Sequence, residues 1–194
     1  KKYADMTVAS ITLRANAQRT VECDIEFMGV KEEPYTESLS ATSFVKKSYK
    51  CTNAFLKYKN ATTDSAASEQ PIETFSMTLN NGLEAGPKTY QSGLYAERPI
   101  KGQRGVSVSF SLPYSVDVET FKQNYLMAGN TVAMELQFDN GTAGETLNIV
   151  LPNVAIGDVA GNVTGNGYID GSISGIALSK GNVEPITVTV AHAE

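Results

Sequence analysis

A mainly β fold is what this sequence predicts: a β-sandwich or barrel of about eight or nine strands, with one flanking α-helix and long loops. Three observations carry that expectation. Short segments alternate apolar and polar residues repeatedly. Gly, Asn and Pro punctuate the gaps between those segments. Only one stretch repeats its apolar residues at helical spacing.

The sharpest strand signal covers residues 20–28. Val21, Cys23, Ile25 and Phe27 fall on one side, and Glu22, Asp24 and Glu26 on the other. Strict alternation of this kind marks a half-buried strand. Each inward side chain, once fully buried, would contribute roughly 1.5–3 kcal/mol. Residues 7–13 read as its partner, and 15–19 as a connection short enough for a hairpin. Residues 30–49, polar and mixed around Pro34, read as a long loop or arm, and loops of that length are usually functional.

Residues 51–58 read as a strand and 60–70 as a second polar connection. In the strand over 73–79, Phe75, Met77 and Leu79 share a face. It ends at Asn80-Asn81-Gly82, where Gly tolerates positive φ. A third long connection, 84–103, holds Gly86, Pro87, Gly93, Pro99 and Gly102. Over 104–112, Val106, Val108, Phe110 and Leu112 alternate with Ser107, Ser109 and Ser111.

The helix is expected after Asp117 as N-cap. Glu119 suits its positive end, although Thr120 stands where a capping box wants Glu or Gln. Val118, Phe121 and Tyr125 form its apolar stripe, and Gly129 supplies the stop. Residues 131–138 then turn Val132, Met134, Leu136 and Phe138 inward, followed by the turn Asp139-Asn140-Gly141. Residues 146–151 run to Pro152, which should end the ladder or sit on an edge. The Gly-rich stretch 157–167 reads as a connection to a strand over 168–178, where Gly171 and Gly175 mark bulges or close backbone approach. Residues 186–190 make the last alternating strand.

The chain has 194 residues, which suits a single domain over 1–194 with a core that needs no metal or disulfide staple. Apolar residues are 41% and charged residues 19%, a globular balance rather than a disordered one. Net charge is −5 and the pI about 5.0. No basic stripe is present that would grip nucleic acid by its phosphates. The pairs Lys46/Lys47 and Lys57/Lys59 read as solvated edges. No run of 18 apolar residues suggests a membrane span. The sequons at Asn60, Asn140 and Asn162 are what an Asn- and Thr-rich chain produces by chance.

Catalytic and metal-binding patterns are missing from the sequence. The single His192 is poorly placed as a general base, and its spacing from Cys23 and Cys51 fits no zinc signature. The two cysteines read as buried free thiols, with a disulfide as the alternative. Neither a Gly-x-Ser-x-Gly elbow nor a phosphate loop occurs. Gly161, Gly165 and Gly167 lack the strand-then-helix setting of a nucleotide site, and Asp139-Asn140-Gly141 lacks the further ligands of a calcium loop. No cofactor and no enzyme activity are expected. The acidic row Glu22, Asp24, Glu26 has two readings: a solvated sheet face, or the wall of a water-filled channel, since like charges so close require screening.

The order of segments resembles one family. Residues 75–84, Phe-Ser-Met-Thr-Leu-Asn-Asn-Gly-Leu-Glu, are followed by 98–104, Arg-Pro-Ile-Lys-Gly-Gln-Arg. Then come the strand at 107–112, the helix at 117–128, the strand at 132–138, and 147–154, Leu-Asn-Ile-Val-Leu-Pro-Asn-Val. Together with 8–13, 20–29 and 167–178, this order is similar to the phage tail tube protein family, the major tail proteins of long-tailed phages. Members are often longer at the front, so an N-terminal part is expected to precede residue 1.

The resemblance implies a structural subunit without enzyme chemistry, located in the virion tail and assembled in the host cytoplasm. Copies would form a ring, typically a hexamer, and rings would stack into a tube. With about four strands from each of six copies, roughly 24 would enclose a wide lumen rather than a packed core. Its partners would be further copies of itself, other tail proteins, and genomic DNA passing through the lumen without specific binding; no membrane is implied. Glu22, Asp24 and Glu26 are the candidate lumen-facing residues. Pro34, Tyr35, Tyr90 and Tyr95, in the long connections, are the candidate ring-to-ring contacts. The alternative is a β-sandwich adhesin or carbohydrate-binding module using Tyr90 and Tyr95, and a related tail-tip or terminator subunit is a further possibility.

Overall fold

The computed structural model describes residues 2–17, 19–33, 48–61, 68–86, 98–164 and 168–191. Contacts divide the chain into two compact units. The first is Lys1–Thr12, Cys23–Lys47 and Leu79–Gly105; the second is Leu13–Glu22, Ser48–Thr78 and Val106–Glu194.

In the first unit, β1 (Lys2–Ala4) pairs antiparallel with β4 (Lys31–Glu33). Strand β3 (Glu22–Met28) lies beside β2 (Thr7–Asn16). After β7 (Thr74–Asn80), the chain turns into β8 (Leu83–Glu84), which pairs with β9 (Ile100–Lys101). The turn residue Gly82 sits at φ +59°, and its N–H donates to Asn80 Oδ1 at 2.7 Å. A side chain there would also run into the Gln103 backbone, so both conformation and space demand glycine. The β4 and β8–β9 pairings fall in stretches expected to be loops. Each is only two or three residues long, too short for alternation to register.

The second unit is built on one large antiparallel sheet. Its remaining strands are β5 (Lys50–Asn60), β6 (Ser68–Pro71), β10 (Gly105–Pro113), β11 (Val132–Asp139), β12 (Thr146–Thr164), β13 (Tyr168–Ala177) and β14 (Thr187–Ala191). The order is β2-β7-β10-β13-β12-β11-β5-β6, with β14 beside β12. Among the described residues no ladder closes it into a barrel; the isolated bridge from Thr20 to Lys50 and the Val21 N–H donating to the Tyr49 carbonyl at 3.0 Å tie the chain after β2 to the start of β5. The expected mainly β architecture with one helical segment is therefore present, as an open sheet.

The core follows the alternation of the sequence. Phe75 and Met77, the four apolar residues of β10, and Val132, Met134, Leu136 and Phe138 of β11 are all buried. Leu56 and Tyr58 of β5 and Leu147, Ile149 and Leu151 of β12 complete the row. Across this face lies the helical segment, α1 (Val116–Thr120) running into π-helical turns at Phe121–Met127. Its stripe of Val118, Phe121 and Tyr125 is buried as expected. The Phe121 ring lies tilted 4.6 Å from the Tyr58 ring and edge-on 5.6 Å from that of Phe110, centre to centre, arrangements that add to plain burial.

Three details differ from expectation. The cap is Ser115, whose Oγ accepts the Asp117 N–H at 3.2 Å. Asp117 sits instead in the first turn, where its carboxylate accepts the Tyr58 hydroxyl at 2.6 Å and ties the helix to β5. Beside the cap, Tyr114 donates to Glu119, and this bond raises its pKa above the usual tyrosine value.

Pro152 does not end its strand. It falls where the β11–β12 register shifts, between the pairs Val132–Val154 and Met134–Leu151, a bulge where a missing N–H costs no ladder bond. The Gly-rich residues 157–164 accordingly continue β12 and pair with β13. Gly171 and Gly175 mark close approach: a Cβ at Gly171 would collide with Val118 of the helix, and one at Gly175 would lie 2.6 Å from the Ala155 carbonyl.

Candidate assembly surface

The third departure is the largest. Strand β3 forms where expected, but its apolar row is not buried. Ile25 is 48% and Phe27 53% exposed, and Cys23 is an exposed free thiol. The expected buried thiol is thus corrected for Cys23; the Cys51 side chain lies outside the described residues. The reason is positional. β3 ends the strand order, and its apolar side is only half covered. Alternation reports that a side of a strand wants cover, and is silent on which molecule supplies it.

The acidic row lies on the opposite side of the same strand. Glu22, Asp24 and Glu26 are all exposed, and Glu26 accepts a 2.7 Å hydrogen bond from Ser10 of β2. The sequence placed these three carboxylates on one row, and the structure keeps them there, open to water. The other candidate contacts, Pro34, Tyr35, Tyr90 and Tyr95, lie outside the described residues.

In the second unit, the sheet face opposite the core is lined with hydroxyls. Ser76 and Thr78 of β7, Ser107 and Ser109 of β10, and Ser174 of β13 border a shallow groove of about 410 Å³. Thr74 and Ser111 join β7 to β10 by a 2.7 Å hydroxyl bond. This groove holds no carboxylate, imidazole or amine among its lining residues. Among the described residues, no group of His, Cys, Asp and Glu is arranged to hold a metal ion, and no helix is long and apolar enough to cross a membrane. The surface features described are strand edges and half-covered apolar rows, the kind of surface through which proteins associate.

Sequence comparison agrees. A family model described as phage tail tube protein matches residues 1–179. The chain belongs to the phage tail tube protein family. Its role is structural, in the tail of the virion, and the uncovered strand of this tail tube protein is read in that light. The match leaves out β14. No curated protein matches the sequence.

Proposed function

We propose that this chain, as one tail-tube-like domain, is the repeating subunit of a phage tail tube. Copies close into a ring, rings stack, and the channel passes the genome during ejection. The observation that carries this reading is β3: a regular strand at the end of the strand order whose Ile25 and Phe27 are about half exposed. Covering the exposed half of each would contribute on the order of 1 kcal/mol per side chain, repeated at every contact around a ring. A head-to-tail contact of this kind closes into a ring or propagates as a filament.

The acidic row Glu22, Asp24 and Glu26 is the wall we assign to the lumen. Carboxylates repel phosphates, so DNA slides past without being held. Ring-to-ring contact is assigned to the long connections that carry Pro34, Tyr35, Tyr90 and Tyr95. Assembly takes place in the host cytoplasm, with other tail proteins completing the structure.

Negative-stain electron microscopy of the purified protein tests the proposal. Rings or tubes with an open centre are expected; a population of monomers at every concentration would end it.

A further inference from the structure

Independently of the tube reading, we infer that a cleft in the first unit is a carboxylate-binding site. Arg98 and Lys101 supply its charge, and Met6, Leu83 and Pro99 its apolar wall. The cleft measures about 350 Å³, with Asp5 and Thr7 completing the lining. All of these residues belong to the first unit.

Local structure presents the two cations together. The ladder of β8 and β9 pairs Leu83 with Lys101 and Glu84 with Ile100. Opposed residues of an antiparallel pair share a face, and successive residues alternate. Lys101 therefore shares the cleft side with Leu83, while Glu84, the carboxylate of that ladder, falls on the other side. Pro99 fixes its own φ and holds Arg98 out of the helical region, which limits the backbone between the two cations. The strand pair is pinned behind them: the Gly102 N–H donates to the Gly82 carbonyl at 2.8 Å, and a Cβ at Gly102 would lie 2.5 Å from that oxygen. The remaining wall comes from the turn between β1 and β2, where Asp5 sits at φ +52°, a left-handed conformation that Asp tolerates better than most residues.

Among the described residues, neither the Arg98 nor the Lys101 side chain has a hydrogen bond or an ion pair. Two cations and the Asp5 carboxylate leave the cleft one positive charge, in a chain whose net charge is −5. A single carboxylate neutralises it. The guanidinium fork matches a carboxylate in shape, and the ammonium adds a point charge. Met6 is 45% exposed, so the apolar wall is open to a ligand. It favours a carboxylate carried on an apolar body: an acidic side chain or a small organic acid. A nucleic-acid backbone fits less well, because it would bring a run of phosphates past Asp5 and onto an acidic protein.

NMR titration of the unassembled, isotope-labelled protein tests this, with butyrate, inorganic phosphate and chloride as probes at one ionic strength. Saturable shifts of the Leu83 and Lys101 amides with butyrate are expected, several-fold larger than with phosphate or chloride at the same concentration. Arg98→Gln with Lys101→Gln should abolish them, and Glu84→Gln, on the opposite side, should leave them unchanged. Unaltered resonances away from the cleft show that each variant is folded. A capped peptide with one glutamate between two leucines separates the sources. Binding several-fold tighter than that of butyrate assigns the cleft to a protein's acidic side chain; equal or weaker binding assigns it to a small organic acid. Equal shifts with chloride, a stronger response to phosphate, or shifts that survive in the double-glutamine variant overturn the inference. None of these readings depends on ring formation, so failure here leaves the tube reading standing.

Discussion

Strands β10 and β3 share one sequence pattern and meet opposite environments. In β10, Val106, Val108, Phe110 and Leu112 alternate with serines, and all four are 3% exposed or less. In β3, Cys23, Ile25 and Phe27 alternate with carboxylates, and the two large side chains remain about half exposed. β10 sits inside the sheet between β7 and β13, under a helix that brings Phe121 against Phe110. β3 sits at the end of the order. The difference teaches that one chain holds two classes of apolar row, one covered by its own fold and one left half exposed among the described residues.

The two classes should respond oppositely to substitution. The largest expected effect is on the folded protomer. Phe110→Ala should cost about 3–5 kcal/mol of stability, seen as a lower urea midpoint in dilute protein, while Phe27→Ala should shift that midpoint little. Next comes assembly: Ile25→Lys with Phe27→Lys should leave the urea midpoint near wild type yet abolish rings in sedimentation velocity. If the double variant unfolds instead, β3 belongs to the protomer core and the comparison fails.

A smaller effect sharpens the same contrast. Ser115→Ala removes the helix cap, and should cost about 1 kcal/mol with ring formation intact once the protein is folded. The smallest effect concerns salt. The carboxylates of β3 crowd any contact made there, so raising ionic strength to about 0.15 M, where screening acts within roughly 8 Å, should strengthen assembly modestly. Glu22→Gln with Asp24→Asn and Glu26→Gln should erase that salt response in light scattering; an unchanged response would detach the acidic row from the interface.

Much of the fold was legible in the sequence, because burial and alternation coincide inside the sheet. β7, β10 and β11 and the stripe Val118, Phe121, Tyr125 were all readable from spacing. What escaped was set by tertiary context. Pro152 reads as a stop until the register shift beside it removes the need for its N–H. The capping role falls to Ser115, the extended residue before the first helical turn, while Asp117 already lies inside the helix and its carboxylate accepts the Tyr58 hydroxyl. On β3, the alternation that sets Glu22, Asp24 and Glu26 on one row was legible, but the exposure of the apolar row was not. Nothing in Cys23, Ile25 and Phe27 distinguishes cover by the same chain from cover by another.

Cys23 allows the most direct measurement. In a Cys51→Ser protein, the rate of maleimide labelling at Cys23 should be high in dilute, unassembled protein and fall at least tenfold once assemblies form. Equal labelling in both states would mean that no neighbouring copy covers β3, contradicting the account at its centre.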